Sequence, residues 1–315
     1  MTNILVTGGL GFIGSEFVRQ ESKKRAFRRI YVLDSCTYAA NSNALDSVLC
    51  NENIELIQGD ISDMNLVDEI IHEVDIVVNF AAESHVDNSI LNFDPFLKSN
   101  IIGVANLLRS ASQKKNIRFV QISTDEVYGS IEEGSFKETD SLNPRNPYSA
   151  SKASAEFLCN AFRNTYGLDV VVTRTCNNYG PYQQFEKFIP TAIKALLEGR
   201  KIPLYGDGSQ IREWIHVSDN CRAISDLVSR GESGAVYNIG TGRDIRNLDL
   251  ALLIIANLGL DESFLEFVED RPGHDQRYSI SSRKIQSEIG WFPLVTFEEG
   301  IRETVSWYRE KLGGF

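Results

Sequence analysis

The chain has 315 residues, 42% of them apolar and 24% charged, with a formal net charge of −11. That length allows a large α/β domain with an appended lobe around a sizeable core, in the composition expected of a soluble globular protein. So acidic a chain repels nucleic-acid phosphates and makes a poor nucleic-acid binder, so no nucleic-acid partner is expected, and any phosphorylated ligand must meet locally placed cations.

The chain opens on "NILVTG", and "RIYVLD", "NIELIQGD", "VDIVVNFAA", "IRFVQIST" and "DVVVTRT" follow as further strands. They are nearly continuous apolar runs, which suits strands buried on both faces. Helical patterns start near Phe12, Asp63 and Phe93, and a helix is expected over 147–167. This strand–helix rhythm predicts a doubly wound parallel sheet of the Rossmann type. After about residue 177 the rhythm changes: a helix in "EKFIPTAIKALLEG", a strand and turn in "KIPLYGDG", a strand in "AVYNIG", and helices over 248–258 and 296–311. The division expected is a first unit over 1–177 and a smaller α/β lobe over 178–315, with segments such as 235–240 returning to the first sheet.

The five cysteines, Cys36, Cys50, Cys159, Cys176 and Cys221, are scattered and form no C-x-x-C pair. A disulfide framework and a structural zinc site are therefore not expected, and no metal site is assigned. The N terminus carries no signal-peptide pattern, and the longest apolar run, "LALLIIANLGL", is too short and interrupted to span a membrane. The expected location is the cytoplasm, with no membrane partner.

"VTGGLGFIGSEF" follows the first strand and opens a helix, with Gly8, Gly11 and Gly14 at G-x-x-G-x-x-G spacing. Such glycines let the backbone approach a pyrophosphate at a helix N terminus. Asp34 ends the second strand, where a carboxylate accepts from an adenosine ribose and repels a 2′-phosphate, so NAD is expected rather than NADP. In "NPYSASK", Asn146 suits a helix cap, Pro147 the first turn, and Tyr148 and Lys152 fall on one helix face. An ammonium there is expected to lower the tyrosine pKa towards that of a working base. In "STDEVYG", Asp125 and Glu126 follow a strand; alone, the pair reads as solvated loop charge.

Further motifs narrow the reading: "AAESHVDNSI", "NNYGPYQQFEKFIP", "LYGDGSQIREWIHVSD", "YNIGTG" and "DRPGHDQRY". With the glycine-rich start, Asp34 and "YSASK", this set resembles, essentially end to end, the nucleotide-sugar 4,6-dehydratases of the extended short-chain dehydrogenase/reductase family, the dTDP-glucose enzymes above all. The resemblance implies a hydro-lyase that converts dTDP-glucose to dTDP-4-keto-6-deoxyglucose and water. Tyr148, helped by Lys152 and Thr124, would take the 4-OH proton while C4 gives hydride to NAD. Glu126 would take the C5 proton and Asp125 would protonate the departing 6-hydroxyl. The hydride would then return to C6. Sugar epimerases of the same superfamily expel no water and lack the Asp–Glu pair.

The resemblance also implies contacts. Cofactor contacts fall at Gly8, Gly11, Phe12, Ile13 and Gly14, then at Asp34, Ser35, Cys36 and Thr37. Asp60, Ile61, Phe80, Ala81, Ala82, Ser84, Ser99 and Asn178 complete them, with Tyr148 and Lys152. The hexose would meet Ser84, Thr124 and Asn177. Lys187, Phe188, Ile189, Pro190, Pro203 and Tyr205 would line the base pocket, and Arg212, Asn247, Arg271 and His274 would hold the ribose and diphosphate. His72 and His216 read as structural. Related enzymes dimerise through helices matching 93–114 and 147–167, so a homodimer is expected. Ser35 and Cys36, Leu10 and Asn220 depart from the family pattern. Two alternatives stay open: the same reaction on a UDP-, CDP- or GDP-hexose, and a catalytically silent NAD-binding protein.

Overall fold

The computed structural model describes residues 2–270 and 275–313. In chain order come β1 (Asn3–Thr7), α1 (Phe12–Lys24), β2 (Arg29–Asp34), β3 (Ile54–Gln58), α2 (Met64–Glu73), β4 (Ile76–Asn79), α3 (Val86–Leu91) and α4 (Asp94–Phe96). A π-helical segment, Leu97–Gly103, leads into α5 (Val104–Gln113), then β5 (Arg118–Thr124), α6 (Pro147–Tyr166), β6 (Asp169–Thr175), β7 (Asn177–Tyr179) and α7 (Phe188–Leu197). The chain continues with β8 (Ile202–Tyr205), β9 (Ile211–His216), α8 (Val217–Arg230), β10 (Val236–Ile239), β11 (Asp244–Arg246), α9 (Asn247–Asn257), β12 (Leu265–Val268), α10 (Arg283–Ile289) and α11 (Phe297–Lys311).

Seven parallel strands form the main sheet in the order β10-β6-β5-β4-β1-β2-β3. Its two faces carry separate cores. Along β1, Ile4 and Val6 enter one cluster with Phe17 of α1 and Leu227 of α8, while Leu5 enters the other with Ile71 of α2 and Leu107 of α5. Burial on both sides is why these strands read as continuous apolar runs. Strand order reverses at β1 and β4, which opens the crevice in which doubly wound sheets bind ligands. The segment after Gly234 does rejoin this sheet, through β10 beside β6.

Two small sheets, β11-β9-β7 and β12-β8, pack with α7, α9 and α11 around a third core. The helical stretch expected from Phe93 is interrupted: seven of its residues, Leu97–Gly103, are π-helical. The wider turn brings Asn100 to the loop after β4, where its amide bonds the backbone of Glu83 in both directions and also Ser151. The long helix α8 is absent from the sequence reading although its apolar residues recur at helical spacing.

Gly300 of α11 lies against the buried ring of Tyr179, and a Cβ there would press on the phenol. Gly300→Ala is expected to destabilise the protein by roughly 1–3 kcal/mol through overpacking, read as a lower urea midpoint at unchanged slope.

Candidate active site

The glycine cradle follows from close approach. Gly8 has φ +66°, and a Cβ there would stand 2.6 Å from the Ala81 backbone nitrogen. A Cβ on Gly14 would strike the Gly8 carbonyl. β1 therefore turns into α1 with bare backbone towards the crevice, as a diphosphate site requires. Both Asp34 oxygens accept backbone N–H groups, from Leu10 at 2.9 Å and Cys36 at 2.8 Å. The carboxylate is thus fixed at the end of β2.

Two adjoining cavities share Gly8, Gly11, Phe80 and Ala82. The outer one is lined by Asp34, Ser35, Thr37, Asp60, Ile61, Ala81 and Ser99. Cys36 is exposed, takes φ +54°, and lies outside that lining. Lys98 pairs with Asp60 at 2.8 Å. Burial pushes the Asp60 carboxyl up, but the bonds from Lys98 and Ser62 outweigh it and hold the group low.

The inner cavity brings together Phe12, Ile13 and Gly14 with Ser84, Thr124, Asp125, Glu126, Tyr148, Lys152, Asn177, Asn178 and Lys187. Three parallel strands place the reacting end: Thr124 is level with Thr175, and Thr175 with Ile239. Asp125 is 3% exposed, accepts from the Thr124 hydroxyl at 3.2 Å, and has no hydrogen-bond partner at Oδ2. Burial, then the carboxylates of Glu126 and Glu213, push its pKa well above the usual range. Burial beside another carboxylate favours the protonated form of the group. Half-buried Glu126 accepts from the Asn146 amide at 3.3 Å.

Tyr148 departs from expectation. Burial raises its pKa, Glu126 and Asp125 add to the rise, and only the Thr124 hydroxyl opposes them. The Lys152 ammonium donates to the Ile122 carbonyl at 2.5 Å. Burial pushes Lys152 itself down to about 8, against the pull of Glu156.

Asn178 donates both amide hydrogens inward, to Thr175 and to the Cys176 carbonyl, each at 3.0 Å. Its Oδ1 is left without a partner, as is Oδ1 of Asn177. Lys187 donates to the Ser84 carbonyl at 2.9 Å. Other substrate candidates lie apart from the inner cavity. Ile189 is fully buried in the third core, Pro190 is buried beside it, and Phe188 packs against the same core. Their side chains face inward because α7 turns its apolar face to the lobe. Pro203 and Tyr205 share the exposed face of β8. Arg212 is buried; it donates to the carbonyls of Ile211 at 2.7 Å and Asp275 at 2.8 Å, and its guanidinium stacks on Tyr278. Asn247 opens α9. Arg271 and His274 lie outside the described residues. His216 bonds Ser218 from within the structure, as a structural histidine would.

The reading from sequence passed over Gln183, Gln184 and Glu186, which also line the inner cavity. Gln184 reaches the Ala39 carbonyl across the lobes at 2.6 Å. Their place inside "PYQQFEK", just before Lys187, was the available signal. Among the described residues no cluster could hold a metal ion, and no helix is long and apolar enough to cross a membrane.

Such a fold and site define a dinucleotide-binding enzyme of the short-chain dehydrogenase/reductase class. Within that class the chain belongs to the family described as GDP-mannose 4,6 dehydratase, whose model matches residues 5–304. It is similar to the low-salt glycan biosynthesis protein Agl12 of Haloferax volcanii, at 47% identity over 97% of this chain and 98% of that one. It is also similar to dTDP-glucose 4,6-dehydratase of Streptomyces niveus, at 46% over 98% and 93%. The fold matches the NAD-bound crystal structure of DesIV, a dTDP-glucose 4,6-dehydratase of Streptomyces venezuelae, with TM-score 0.96 and 46% identity over 99% and 98% of the chains. It also matches a UDP-glucose 4-epimerase of Thermotoga maritima, with TM-score 0.91 and 29% identity over 98% and 99%.

The raised Asp125 pKa has a stability consequence. The folded protein keeps a proton that the unfolded chain releases above about pH 4, so this contribution falls as pH rises. Asn cannot titrate. The stability of the wild type relative to Asp125→Asn is expected to decline as pH rises above about 4 in urea denaturation; a flat difference would show that Asp125 ionises normally.

Proposed function

We propose that the protein is an NAD-dependent dTDP-glucose 4,6-dehydratase that forms dTDP-4-keto-6-deoxyglucose and water. Fold alone does not separate this from epimerisation, since both kinds of neighbour match it. The observation that carries the reading is Asp125, a buried carboxyl with an unpartnered oxygen, beside Glu126 in the cavity of Tyr148 and Lys152.

The cradle fits a dinucleotide: Gly8, Gly11 and Gly14 would hold the diphosphate, Asp34 the adenosine ribose, and Asp60 with Ile61 the adenine end. Asp34 would repel a 2′-phosphate, so NADP is disfavoured. NAD held there would supply the acceptor for the C4 hydride and the donor of that hydride to C6. Tyr148 takes the 4-hydroxyl proton as the phenolate, with Thr124 orienting the two hydroxyls; burial and the nearby carboxylates oppose that phenolate, and positive charge entering the cavity would favour it. The 4-keto group then acidifies C5–H. Glu126 removes that proton, Asp125 protonates the 6-hydroxyl, and water leaves. Glu126 exchanges that proton with solvent and protonates C5 as C6 is reduced. Tyr148 ends with one proton more and Asp125 with one fewer, so transfer of that proton through solvent restores the enzyme, and return of the hydride to C6 leaves no net redox.

A UDP-, CDP- or GDP-hexose would undergo the same steps, with discrimination falling to the lobe around Pro203 and Tyr205; assay of the four nucleotide-hexoses decides it. We place the enzyme in the cytoplasm as a homodimer formed through α5 and α6. Ile102 before α5 and Phe157 on α6 support this, being 52% and 64% exposed, and a C2 interface would pair the same helices. Light scattering at micromolar concentration should give twice the chain mass, and a monomer mass would reject the dimer.

Substrate deuterated at C4 should give product deuterated at C6, with solvent hydrogen at C5. Asp125→Asn and Glu126→Gln should each lose roughly 10²–10⁴-fold in product formation while still reducing NAD. Product without label at C6 would make the chain a simple dehydrogenase.

A further inference from the structure

Asn146 stands between the two halves of this chemistry. It is the N-cap of α6, followed by Pro147 in the first turn. Its Oδ1 accepts the Ser149 backbone N–H at 2.8 Å, and the Ser149 hydroxyl accepts the Asn146 N–H at 3.3 Å, closing a capping box. That bond settles which end of the amide is oxygen. The nitrogen must then face away from the helix, and it donates to Glu126 Oε2 at 3.3 Å. A capping side chain uses only its acceptor on the helix. Here the other half of the amide is turned onto a carboxylate of the site.

Glu126 lies in the short turn after β5, where its own N–H donates to Thr124 Oγ1 at 3.3 Å. That turn holds the backbone. The Asn146 amide reaches the carboxylate itself, from the helix that carries Tyr148 two residues on. Elimination must follow oxidation on one bound sugar, so the group acting at C5 needs a fixed place relative to the group acting at C4. A misplacement of about 1 Å costs on the order of a hundredfold.

We infer that Asn146 is a positioning residue: its amide fastens the carboxylate of Glu126 to the first turn of α6 and so sets the C5 base at a fixed distance from Tyr148. The inference rests on the dehydratase reading and adds a residue to it. Serine would cap α6 as well as asparagine does, but it cannot supply an N–H to Glu126 while doing so. Cap and donor are therefore separable.

The test uses the full chain with NAD and dTDP-glucose in single turnover, following NADH appearance and C5 hydrogen exchange with solvent. Asn146→Ser should keep the urea midpoint and the rate of NADH appearance. C5 exchange and product release should slow roughly ten- to hundredfold, the scale of one hydrogen bond to a charged group. Asn146→Asp, also a good cap but with a repelling charge, should slow C5 exchange at least as much and stands in if the serine variant does not fold. Asn146→Ala should show the same slowing and a lower urea midpoint. Wild-type C5 exchange in cap-competent variants, or equal slowing of oxidation and exchange, overturns the inference. If the wild type itself yields no 4-keto-6-deoxy sugar, the dehydratase reading fails and this inference falls with it.

Discussion

The parallel alignment of the main sheet is the constraint on which the site depends. Because its strands all run one way, their carboxyl ends share an edge, and the loops that leave them converge. Gly8 leaves β1, Asp34 ends β2, Asp60 follows β3, Phe80 follows β4, and Asp125 follows β5. Five separate stretches of chain therefore meet along one crevice. The third core only has to close that crevice from the other side, which it does through the segment between β7 and α7. Gln184 and Lys187 touch the backbone of the first unit there.

Burial then sets the electrostatics. The site is acidic in its inner part, where burial and the carboxylates of Glu126 and Glu213 act on Asp125. A tyrosine base needs a depressed pKa, and an acidic cavity opposes that. The same surroundings therefore favour a protonated Asp125 and oppose a Tyr148 phenolate.

Helix α6 ties both functions to the frame. Tyr148, Lys152 and Glu156 recur every four residues and form one buried polar stripe. Glu156 ends it in an ion pair with Arg174 at 2.7 Å, and Arg174 in turn bonds Tyr128 at 2.6 Å. A buried pair of this kind is weak evidence for stability because its desolvation offsets its attraction. Its effect here is geometric: it holds the face of α6 that carries the reactive groups against β6.

Much was legible in sequence because it depends on local order. The glycine spacing, the apolar strands, the Tyr148–Lys152 interval and the Asn146–Pro147 start of α6 are all set within a few residues, and the long motifs identified the family. The π-helical turn at Leu97–Gly103 and the inward packing of Ile189 were not legible, since each follows from contacts with distant segments. The raised tyrosine pKa was not legible for the same reason: spacing along a helix puts Lys152 beside Tyr148, but only the fold buries the phenol and brings Glu126 and Asp125 to it. The sequence by itself determined the sheet, its cofactor cradle and the chemical groups available. The tertiary structure decided how deeply those groups are buried and which charges face them, because desolvation and Coulomb energies depend on separation in space and not along the chain.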